Sequence, residues 1–536
     1  MKNSTSAIFV FSLFAVGAIP LLAQPPSIAA VENNYSFTLP TVPNYGIAPG
    51  SLFVIYGSNL STVTVPVLQS SAAPGVPLAL SGVSVSVSVN GTNATVPLYY
   101  VSATQIAGIL PSTVPAGSGT ITVTSNGQAS SPAPLRVVAS NFGILTTNNS
   151  GYGSAAAYDA NNKLLTASSS ASPGQTIVLW GSGVGADPAN DDRVYPQKQN
   201  NLTNIPMQVF IGGISAPILY RGRSQYPGVD QIDVVVPPGG ASGCYVSVIV
   251  MSGNYVSNST TLPIAANGGT CSDPNTEYTP AQLQTLASKS TVKIATVSLD
   301  LETTLPANVV RNVLRGKFLT YTMAEFAAKT PSDGFISYGS CKIRETGKVP
   351  THINAGSSLT VTGPGGAQGS APLNTLKNGN LGDYKFALPA GFIPSGGGMF
   401  TFSNGTGSAA VGPLSRGSIT MPAPILWTNS SAISTIDRSQ GVLVTWSGGS
   451  AGTFVVIQGS AMGPAPANET VSFACAAPVN SGQFMIPPSV LLALPTTGTG
   501  QLLVYNVTFP QPVSATGLDL GTVFAEIGSK AAVAYR

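Results

Sequence analysis

A short acidic segment is the part of this sequence where metal chemistry is easiest to place. Asp187, Asp191 and Asp192 lie close together in a chain with 19 acidic residues among 536. Loops at one end of a β-sandwich can gather carboxylates around Ca²⁺, which takes six to eight oxygen ligands. The segment lacks the regular alternation of a calcium-binding loop, and Asp187-Pro188 is typical of a solvated turn. We therefore predict a turn, with Ca²⁺ as the ion to test; further oxygen ligands nearby belong to Asn190, Asp230 and Asp233.

Acid–base hydrolysis has few possible participants. His352 is the single histidine, so a Ser-His-Asp arrangement would have to use it. Its neighbours Pro350, Thr351 and Asn354 are turn formers, and no Gly-x-Ser-x-Gly elbow accompanies it. We predict a loop histidine without a catalytic role. A hydrolase that works with two carboxylates stays open, because four acids lie in the region 289–425: Glu302, Glu325, Asp333 and Glu345.

The composition excludes one class of partner. Charged residues make up 8% of the chain, against about 25% in ordinary soluble domains. The net charge is +3, and Lys and Arg nowhere form the basic cluster that nucleic-acid binding requires. A surface made from Ser, Thr, Asn and Gln in place of charges is common in extracellular proteins. We therefore expect no nucleic-acid partner.

The N-terminus predicts export. Lys2 is followed by an apolar stretch at residues 7–18 and by a small residue at Ala23, the pattern of a secretory signal peptide cleaved after Ala23. No later stretch reaches the ~18 apolar residues of a spanning helix. The mature protein is therefore predicted to begin at Gln24, without a membrane span, and to be secreted or held at the cell surface.

The four cysteines would meet oxidising conditions in an exported protein. Cys244 opens a predicted strand, and Cys271 lies just beyond the end of the same module, so we predict a disulfide between them. Cys341 and Cys475 form either a second, longer-range disulfide or two buried thiols. A zinc site is disfavoured because the chain has no Cys-x-x-Cys spacing and a single His.

Two segments of the chain repeat each other. Residues 48–58 correspond to residues 172–182 at an offset of 124 (173 − 49), and Gln105-Ile106 corresponds to Gln231-Ile232 at an offset of 126 (231 − 105). Matched blocks in the same order indicate two copies of one domain. Residues 83–89 alternate Val and Ser and end at Asn90-Gly91, which predicts a hairpin in an antiparallel sandwich.

The repeated pattern resembles a known family. It resembles the Ig-like repeat modules of large secreted proteins from soil bacteria, which are similar to the IPT/TIG branch of immunoglobulin-like sandwiches. The resemblance implies an Ig-like fold and export, and it brings no catalytic residue. The matching residues are 49–60, 82–105 and Pro111 in the first copy, and 173–184, 212–232 and Pro237 in the second.

Aromatic residues raise the alternative of a strip that stacks on sugars. Trp180 and Tyr56 take equivalent positions in the two copies, and both lie near the ends of apolar runs. Equivalent aromatics in such runs are usually core residues, so we predict a core position for both. The other aromatics considered for a strip are Trp427, Trp446, Tyr99, Tyr100 and Tyr220.

The predicted fold class is all-β: tandem immunoglobulin-like β-sandwiches followed by further β-rich sandwich-type domains. Strands every 8–12 residues, with little helical periodicity, support this class. The predicted division is a signal peptide (1–23), a leader (24–40), Ig-like module 1 (41–139), Ig-like module 2 (140–266), a linker with a short helix (267–288), and β-rich domains 3 (289–425) and 4 (426–536).

These features predict an exported, non-catalytic binding, adhesion or structural protein. Ig-like modules act through rigid spacing and through loop or edge-strand contacts, and an extracellular glycan or protein is the expected partner. No cofactor is expected apart from the Ca²⁺ ion considered above. The alternative is a secreted hydrolase of polysaccharide or peptide, with its site in 289–425 and the Ig-like modules as accessories.

Overall fold

The computed structural model describes residues 24–40, 42, 44–68, 75–151, 153–272, 286, 289–322, 340–345, 350–376, 379–415, 417–465 and 469–536. The predicted signal peptide lies outside these residues, as do Glu325, Asp333 and almost all of the predicted linker helix. The described chain is nearly all β, so the predicted fold class is confirmed. No helix in the described ranges is long and apolar enough to span a membrane.

The first sandwich packs two sheets with strand orders β1-β2-β7-β6-β3 and β10-β8-β4-β5. The Val side chains of the Val-Ser alternation face its core and the Ser side chains face outward, as period-two alternation requires. Residues of the predicted leader contribute β1. The strands are β1 (Ser27–Asn33), β2 (Leu52–Ser58), β3 (Val67–Leu68), β4 (Val83–Val89), β5 (Thr92–Thr95), β6 (Leu98–Val101), β7 (Gln105–Ile109), β8 (Gly117–Ser125), β9 (Gln128–Ala129) and β10 (Ala133–Val137).

The second sandwich has sheets ordered β11-β14-β18-β17 and β12-β21-β19-β15-β16. Its apolar core is separate from that of the first sandwich. The strands are β11 (Gly143–Ile144), β12 (Gly153–Ser154), β13 (Ala157–Tyr158), β14 (Thr176–Ser182), β15 (Met207–Ile211), β16 (Ile214–Ala216), β17 (Ile218–Arg223), β18 (Asp230–Val235), β19 (Gly243–Ser252), β20 (Tyr255–Val256) and β21 (Thr260–Ile264).

The two sandwiches share pairing details as well as strand order. β2 pairs with β7 in the first sandwich, and β14 pairs with β18 in the second. On its other edge β7 pairs with β6, and β18 pairs with β17. Both of these pairings have an irregular register, between Leu98 and Tyr100 in β6 and between Ile218 and Tyr220 in β17. A bulge at the same place in both copies is a feature expected of duplicated domains. The structure therefore agrees with the duplication that the repeated sequence blocks indicate.

The C-terminal region is built around one long sheet, ordered β24-β35-β34-β37-β39-β22-β23-β28-β27-β26-β29-β30. A three-stranded sheet, β31-β33-β36, packs over one part of it. The strands are β22 (Thr291–Leu305), β23 (Val309–Thr322), β24 (Ser340–Glu345), β25 (Thr351–His352), β26 (Ser358–Thr362), β27 (Gln368–Thr375), β28 (Leu381–Leu388), β29 (Met399–Ser403), β30 (Gly417–Thr420), β31 (Ile425–Trp427), β32 (Thr435–Ile436), β33 (Val442–Gly448), β34 (Phe454–Met462), β35 (Thr470–Pro478), β36 (Gln483–Ile486), β37 (Thr497–Val507), β38 (Gln511–Pro512) and β39 (Leu520–Tyr535).

The long sheet curls so that β30 lies against β39, and it encloses a second apolar core in this region. One short helix, α1 (Pro488–Leu491), and the 3₁₀ turns Pro364–Gly366, Ser430–Ala432 and Val479–Ser481 lie between strands. Strands from both sides of residue 425 share the long sheet, so the predicted boundary between domains 3 and 4 does not coincide with a sheet boundary. The division into domains stays a prediction.

Both possible disulfides are present in the structure. Cys244 at the start of β19 is bonded to Cys271, with their Cα atoms 5.3 Å apart. Cys341 on β24 lies directly opposite Cys475 on β35, and these two are also bonded. The second pair, left open by the sequence, therefore joins two neighbouring strands of the long sheet.

Candidate functional site

Trp180 lies on the outer face of the second sandwich. Along β14, Ile177 and Leu179 are fully buried in the core, while Val178 and Trp180 are half-buried on the opposite face. The run is apolar on both faces, so the sequence pattern alone does not say which face packs inward. The prediction that Trp180 is a core residue is wrong. Successive side chains of a strand point to opposite faces of the sheet, so Trp180 points away from the core into which Leu179 points.

Four aromatic rings follow one another on this face, and we call them the aromatic strip: Tyr158, Trp180, Tyr226 and Tyr195. The ring centroids of Tyr158 and Trp180 are 6.3 Å apart, those of Trp180 and Tyr226 are 5.9 Å apart, and those of Tyr226 and Tyr195 are 5.4 Å apart with the rings stacked. Tyr226 is 37% exposed and the others are half-buried. The indole Nε1 of Trp180 is buried without a hydrogen-bond partner, so packing against the two tyrosines holds this ring.

Polar side chains lie beside the strip on the same face. Gln231 is opposite Trp180 across β14 and β18, and Asp233 is opposite Val178. The side-chain amide of Gln231 donates a hydrogen bond to the Asp233 carboxylate over 3.1 Å, and burial raises the pKa of Asp233 above its ordinary value. Tyr220 lies opposite Asp233 on β17. The face therefore offers aromatic rings next to an amide and a carboxylate.

The other aromatics considered from the sequence lie elsewhere, apart from Tyr220. Trp427 and Trp446 are buried in the C-terminal core, and Tyr99 and Tyr100 belong to the first sandwich. Sequence reasoning missed Tyr195 and Tyr226. Each precedes a proline, at Tyr195-Pro196 and Tyr226-Pro227, and a residue before proline favours an extended backbone. The two Tyr-Pro pairs in one module were therefore the sequence feature that could have indicated these two loop tyrosines.

The acidic segment is bonded to protein donors, and Asp187 is fully buried, so the solvated position predicted for this residue is wrong. The Asp187 carboxylate accepts hydrogen bonds from the backbone of Ala189 and from the side chains of Asn190 and Asn200. Asp191 is exposed and accepts a bond from the following turn. The structure does not gather Asp187, Asp191 and Asp192 into one ligand set. Across the described ranges, no group of three or more acidic, His or Cys side chains could hold a metal ion.

Asp192 connects the two sandwiches. Its carboxylate accepts hydrogen bonds from the backbone N–H and from the hydroxyl of Ser112, both over 2.7 Å. Ser112 follows β7 in the first sandwich, whereas Asp192 lies in the loop between β14 and β15 of the second. A carboxylate considered as a calcium ligand therefore serves as an acceptor at the junction between the sandwiches.

Arg223, at the end of β17, is a buried ion of this junction that sequence reasoning missed. Its side chain is 1% exposed, forms an ion pair with the fully buried Asp230, and donates to the carbonyl of Gly185 over 2.8 Å. Burial opposes its charge, but the carboxylates of Asp230, Asp192 and Asp187 outweigh burial and hold the pKa of Arg223 above its ordinary value. The backbone N–H groups of residues 183 and 184 complete the shell of Asp230.

Close backbone contacts complete the junction. A Cβ atom at Gly50 would lie 1.5 Å from the Arg223 guanidinium, so only glycine fits there. Ser182 accepts a hydrogen bond from the Leu52 backbone and donates one to the Gly228 carbonyl. The side-chain amide of Asn141 donates to two carbonyls of residues 44 and 46. Buried polar bonds in a low-dielectric setting fix one relative orientation of the groups they join.

Among the acids considered for hydrolysis, Glu302 is held in place by its neighbours. Glu302 on β22 accepts a hydrogen bond from Tyr505 over 2.9 Å and pairs with Lys530. Burial opposes its charge, but these two partners outweigh burial and lower the pKa of Glu302. Its neighbour Asp300 pairs with Arg315, and burial raises the pKa of Asp300 in spite of this partner. The lowered pKa of Glu302 makes this residue a poor general acid, because such an acid needs a raised pKa.

His352 differs from its predicted loop position. It lies on the short strand β25, which pairs with β23, and its Nε2 is 2.9 Å from the Asp383 carboxylate. Among the turn formers around it, Pro350 directly precedes this strand and Asn354 follows it. Glu345 lies on β24, paired with Val471. The carboxylate beside His352 is therefore Asp383, which is not one of the four acids that the sequence suggested for hydrolysis.

A cleft of about 350 Å³ lies between the second sandwich and the C-terminal region. Phe210 and Ile249 line it from one side, and Phe484 and Met485 from the other. Its lining residues carry no acid or base; the one cysteine among them, Cys341, is in a disulfide. The cleft thus offers apolar contact without groups for proton transfer.

Comparison with known proteins identifies the first sandwich. Residues 40–137 match the model of the IPT/TIG domain, which confirms the resemblance indicated by the repeated motifs for this part of the chain. No curated protein sequence matches the chain significantly.

Three solved structures show distant similarity. SGBP-B of the Bacteroides ovatus mixed-linkage glucan utilization locus, in complex with a mixed-linkage heptasaccharide, is 11% identical; the match covers 70% of this chain and 71% of that protein, with a TM-score of 0.21. SGBP-B from a complex xyloglucan utilization locus in Bacteroides uniformis is 10% identical, with coverages of 69% and 87% and a TM-score of 0.17. The gamma-CGTase of alkalophilic Bacillus clarkii is 11% identical, with coverages of 69% and 36% and a TM-score of 0.15.

Proposed function

We propose that this protein is an exported, non-catalytic binding protein whose aromatic strip contacts an extracellular glycan. The observation that carries the proposal is the row of four rings on the outer face of the second sandwich, with Trp180 half-buried among three tyrosines. Aromatic side chains give a large apolar contact area, and tyrosine adds a polar end that suits a wet surface.

The chemistry of the face favours sugars. Pyranose rings carry C–H groups on their faces and hydroxyls at their rims, so one sugar can pack on a ring and hydrogen-bond beside it. Gln231 and Asp233 supply an amide and a carboxylate next to Trp180 for those hydroxyls. The Asp233 carboxylate within the face repels negative charge, which disfavours glycans with uronic acids or sulfates. We therefore assign a neutral polysaccharide as the ligand class.

Calorimetric titration of the mature protein tests the proposal, with laminarin, xylan, hydroxyethyl cellulose and galactomannan as probes. Saturable binding to at least one probe is expected. Trp180→Ala and Tyr226→Ala should each weaken it about tenfold or more, because central aromatic anchors dominate binding energy. Tyr100→Ala, which removes a half-buried ring from the first sandwich, is the matched control and should leave affinity unchanged.

Three outcomes would count against glycan binding by this face. The first is no saturable binding to any of the four polysaccharides. The second is equal affinity in wild type, Trp180→Ala and Tyr226→Ala. The third is release of reducing ends from a probe without saturable binding, which would favour the secreted hydrolase instead.

A further inference from the structure

We infer that the aromatic strip depends on both sandwiches. The second sandwich carries the rings, and the first sandwich holds in position the two loops that carry Tyr195 and Tyr226. This inference rests on the proposed function where it concerns affinity. Trp180 and Tyr158 are on strands β14 and β13, so the sheet itself orients them. Tyr195 lies between β14 and β15, and Tyr226 lies between β17 and β18.

The loop that carries Tyr195 is bonded to the first sandwich just before the ring. Val76 and Arg193 exchange two hydrogen bonds: the Val76 backbone N–H donates to the Arg193 carbonyl over 2.9 Å, and the Arg193 Nε donates to the Val76 carbonyl over 2.8 Å. One residue earlier, Asp192 accepts two bonds from Ser112. Asp192 and Arg193 together therefore make four hydrogen bonds to the first sandwich, and Arg193 is two residues before Tyr195.

The loop that carries Tyr226 is bonded to the first sandwich just after the ring. The Tyr99 hydroxyl donates to the Pro227 carbonyl over 3.0 Å. The Leu52 backbone N–H, which donates to Ser182 over 2.8 Å, is shared with the Gly228 carbonyl over 3.3 Å. A Cβ atom at Gly228 would lie 2.8 Å from the side chain of Ile109, and φ at this glycine is +72°. The loop is therefore in close contact with the first sandwich at Gly228, where both the space and the backbone conformation favour glycine.

Fixing these loops before a ligand arrives raises affinity. A side chain that must be immobilised on binding loses conformational entropy, and this loss weakens the interaction. With the first sandwich in contact, Tyr195 and Tyr226 are already stacked on each other. Tyr99 and Ser112 are therefore positioning residues: they act on the glycan through the rings of the neighbouring sandwich.

The first test needs no glycan. Hydrogen–deuterium exchange of the full mature chain is compared between wild type and the double variant Tyr99→Phe/Ser112→Ala. Faster exchange is expected in peptides that cover 187–197 and 224–229, without change in β14 or β18. The matched control is Tyr100→Phe/Ser118→Ala, two half-exposed or exposed positions of the first sandwich. Unchanged exchange in both loops would overturn the inference whether or not the protein binds glycans.

The second test separates positioning from a general loss of structure. Affinity for the four polysaccharides named above is measured for Tyr99→Phe with and without Tyr226→Ala. About a three- to tenfold loss is expected when Tyr226 is present, and little further loss when it is absent, because Tyr99 holds the loop that carries this ring and the two effects share it. Equal losses in both backgrounds would contradict a role through the ring. Absence of binding by wild type would refute the proposed function and leave the exchange test to decide the loop contacts.

Discussion

Trp180 and Tyr56 occupy the same place in their two sandwiches, each opposite a glutamine. Trp180 lies across from Gln231 on β18, and Tyr56 lies across from Gln105 on β7. Both side chains are half-buried on the outer face, so the core position predicted for Tyr56 is wrong as well. The duplicated scaffold therefore presents one aromatic ring in each copy, and the loops that carry Tyr195 and Tyr226 build a strip around the ring of the second copy. Function on repeated β modules commonly resides in such loops.

Replacing Arg223 with Ala should destabilise the N-terminal pair of sandwiches by about 3–5 kcal/mol, because it leaves the buried Asp230 without its ionic partner. Both side chains of the pair are almost fully buried. The free energy of unfolding is measured by urea denaturation of the mature chain. Lys317→Ala, an exposed change on β23, is the control and should lie within about 0.5 kcal/mol of wild type. Similar midpoints for both variants would show that Asp230 finds other donors.

Stability should depend on the protonation of Glu32. This residue is 6% exposed on β1, and burial raises its pKa from 4.5 to about 7. The folded state therefore keeps a proton that the unfolded chain releases near pH 4.5. The resulting stabilisation is fully present below that pH and is lost as pH rises through about 7.

Thermal midpoints at pH 5 and pH 8 check this dependence. When the pH is raised from 5 to 8, wild type should lose stability relative to Glu32→Gln, whose neutral amide does not titrate. A constant difference between wild type and variant across this range would indicate that Glu32 is already ionised in the folded protein at pH 5.

The Cys244–Cys271 disulfide should be present in the exported protein. Its Cα atoms are 5.3 Å apart and 27 residues separate the two cysteines. Closing a loop of this length stabilises by roughly 3–4 kcal/mol in the chain-entropy model. Non-reducing peptide mapping should yield one linked peptide that contains both residues, and Cys244→Ser/Cys271→Ser should lower the unfolding free energy. Peptides that link either residue to Cys341 or Cys475 would contradict the pairing.

Replacing His352 with Ala should cost about 1 kcal/mol of stability, since it removes one hydrogen bond to Asp383. Glycan affinity should not change, because this residue is in the C-terminal region, on a strand paired with β23. Denaturation and titration of the same preparation measure both quantities. His352→Gln, which keeps a donor, should recover part of the stability. A loss of affinity at unchanged stability would assign His352 to a binding site.

Periodicity in the sequence predicted the parts of the fold that depend on local pattern. Alternation in β4 and the repeated block around Tyr56 were enough for two sandwiches, because strand period and turn residues are local properties. The orientation of Trp180 was not predictable, since both faces of β14 are apolar. Arg223 was missed because its partners, Asp230 and Asp192, are joined to it only by folding. The long sheet of the C-terminal region depends on pairing over more than two hundred residues, which no local signal carries.

The parallel pairing of β22 with β39 has a consequence for the order of assembly. Ile294 is matched with Leu520, and the register continues to Leu305 with Ala531. Every residue between these strands must be synthesised before the centre of the sheet can close. Until then, β22 and β37 each expose one unpaired edge, and exposed edges invite association with other chains. The sheets of the two N-terminal sandwiches are formed by strands within residues 27–264, so their pairing does not depend on β39.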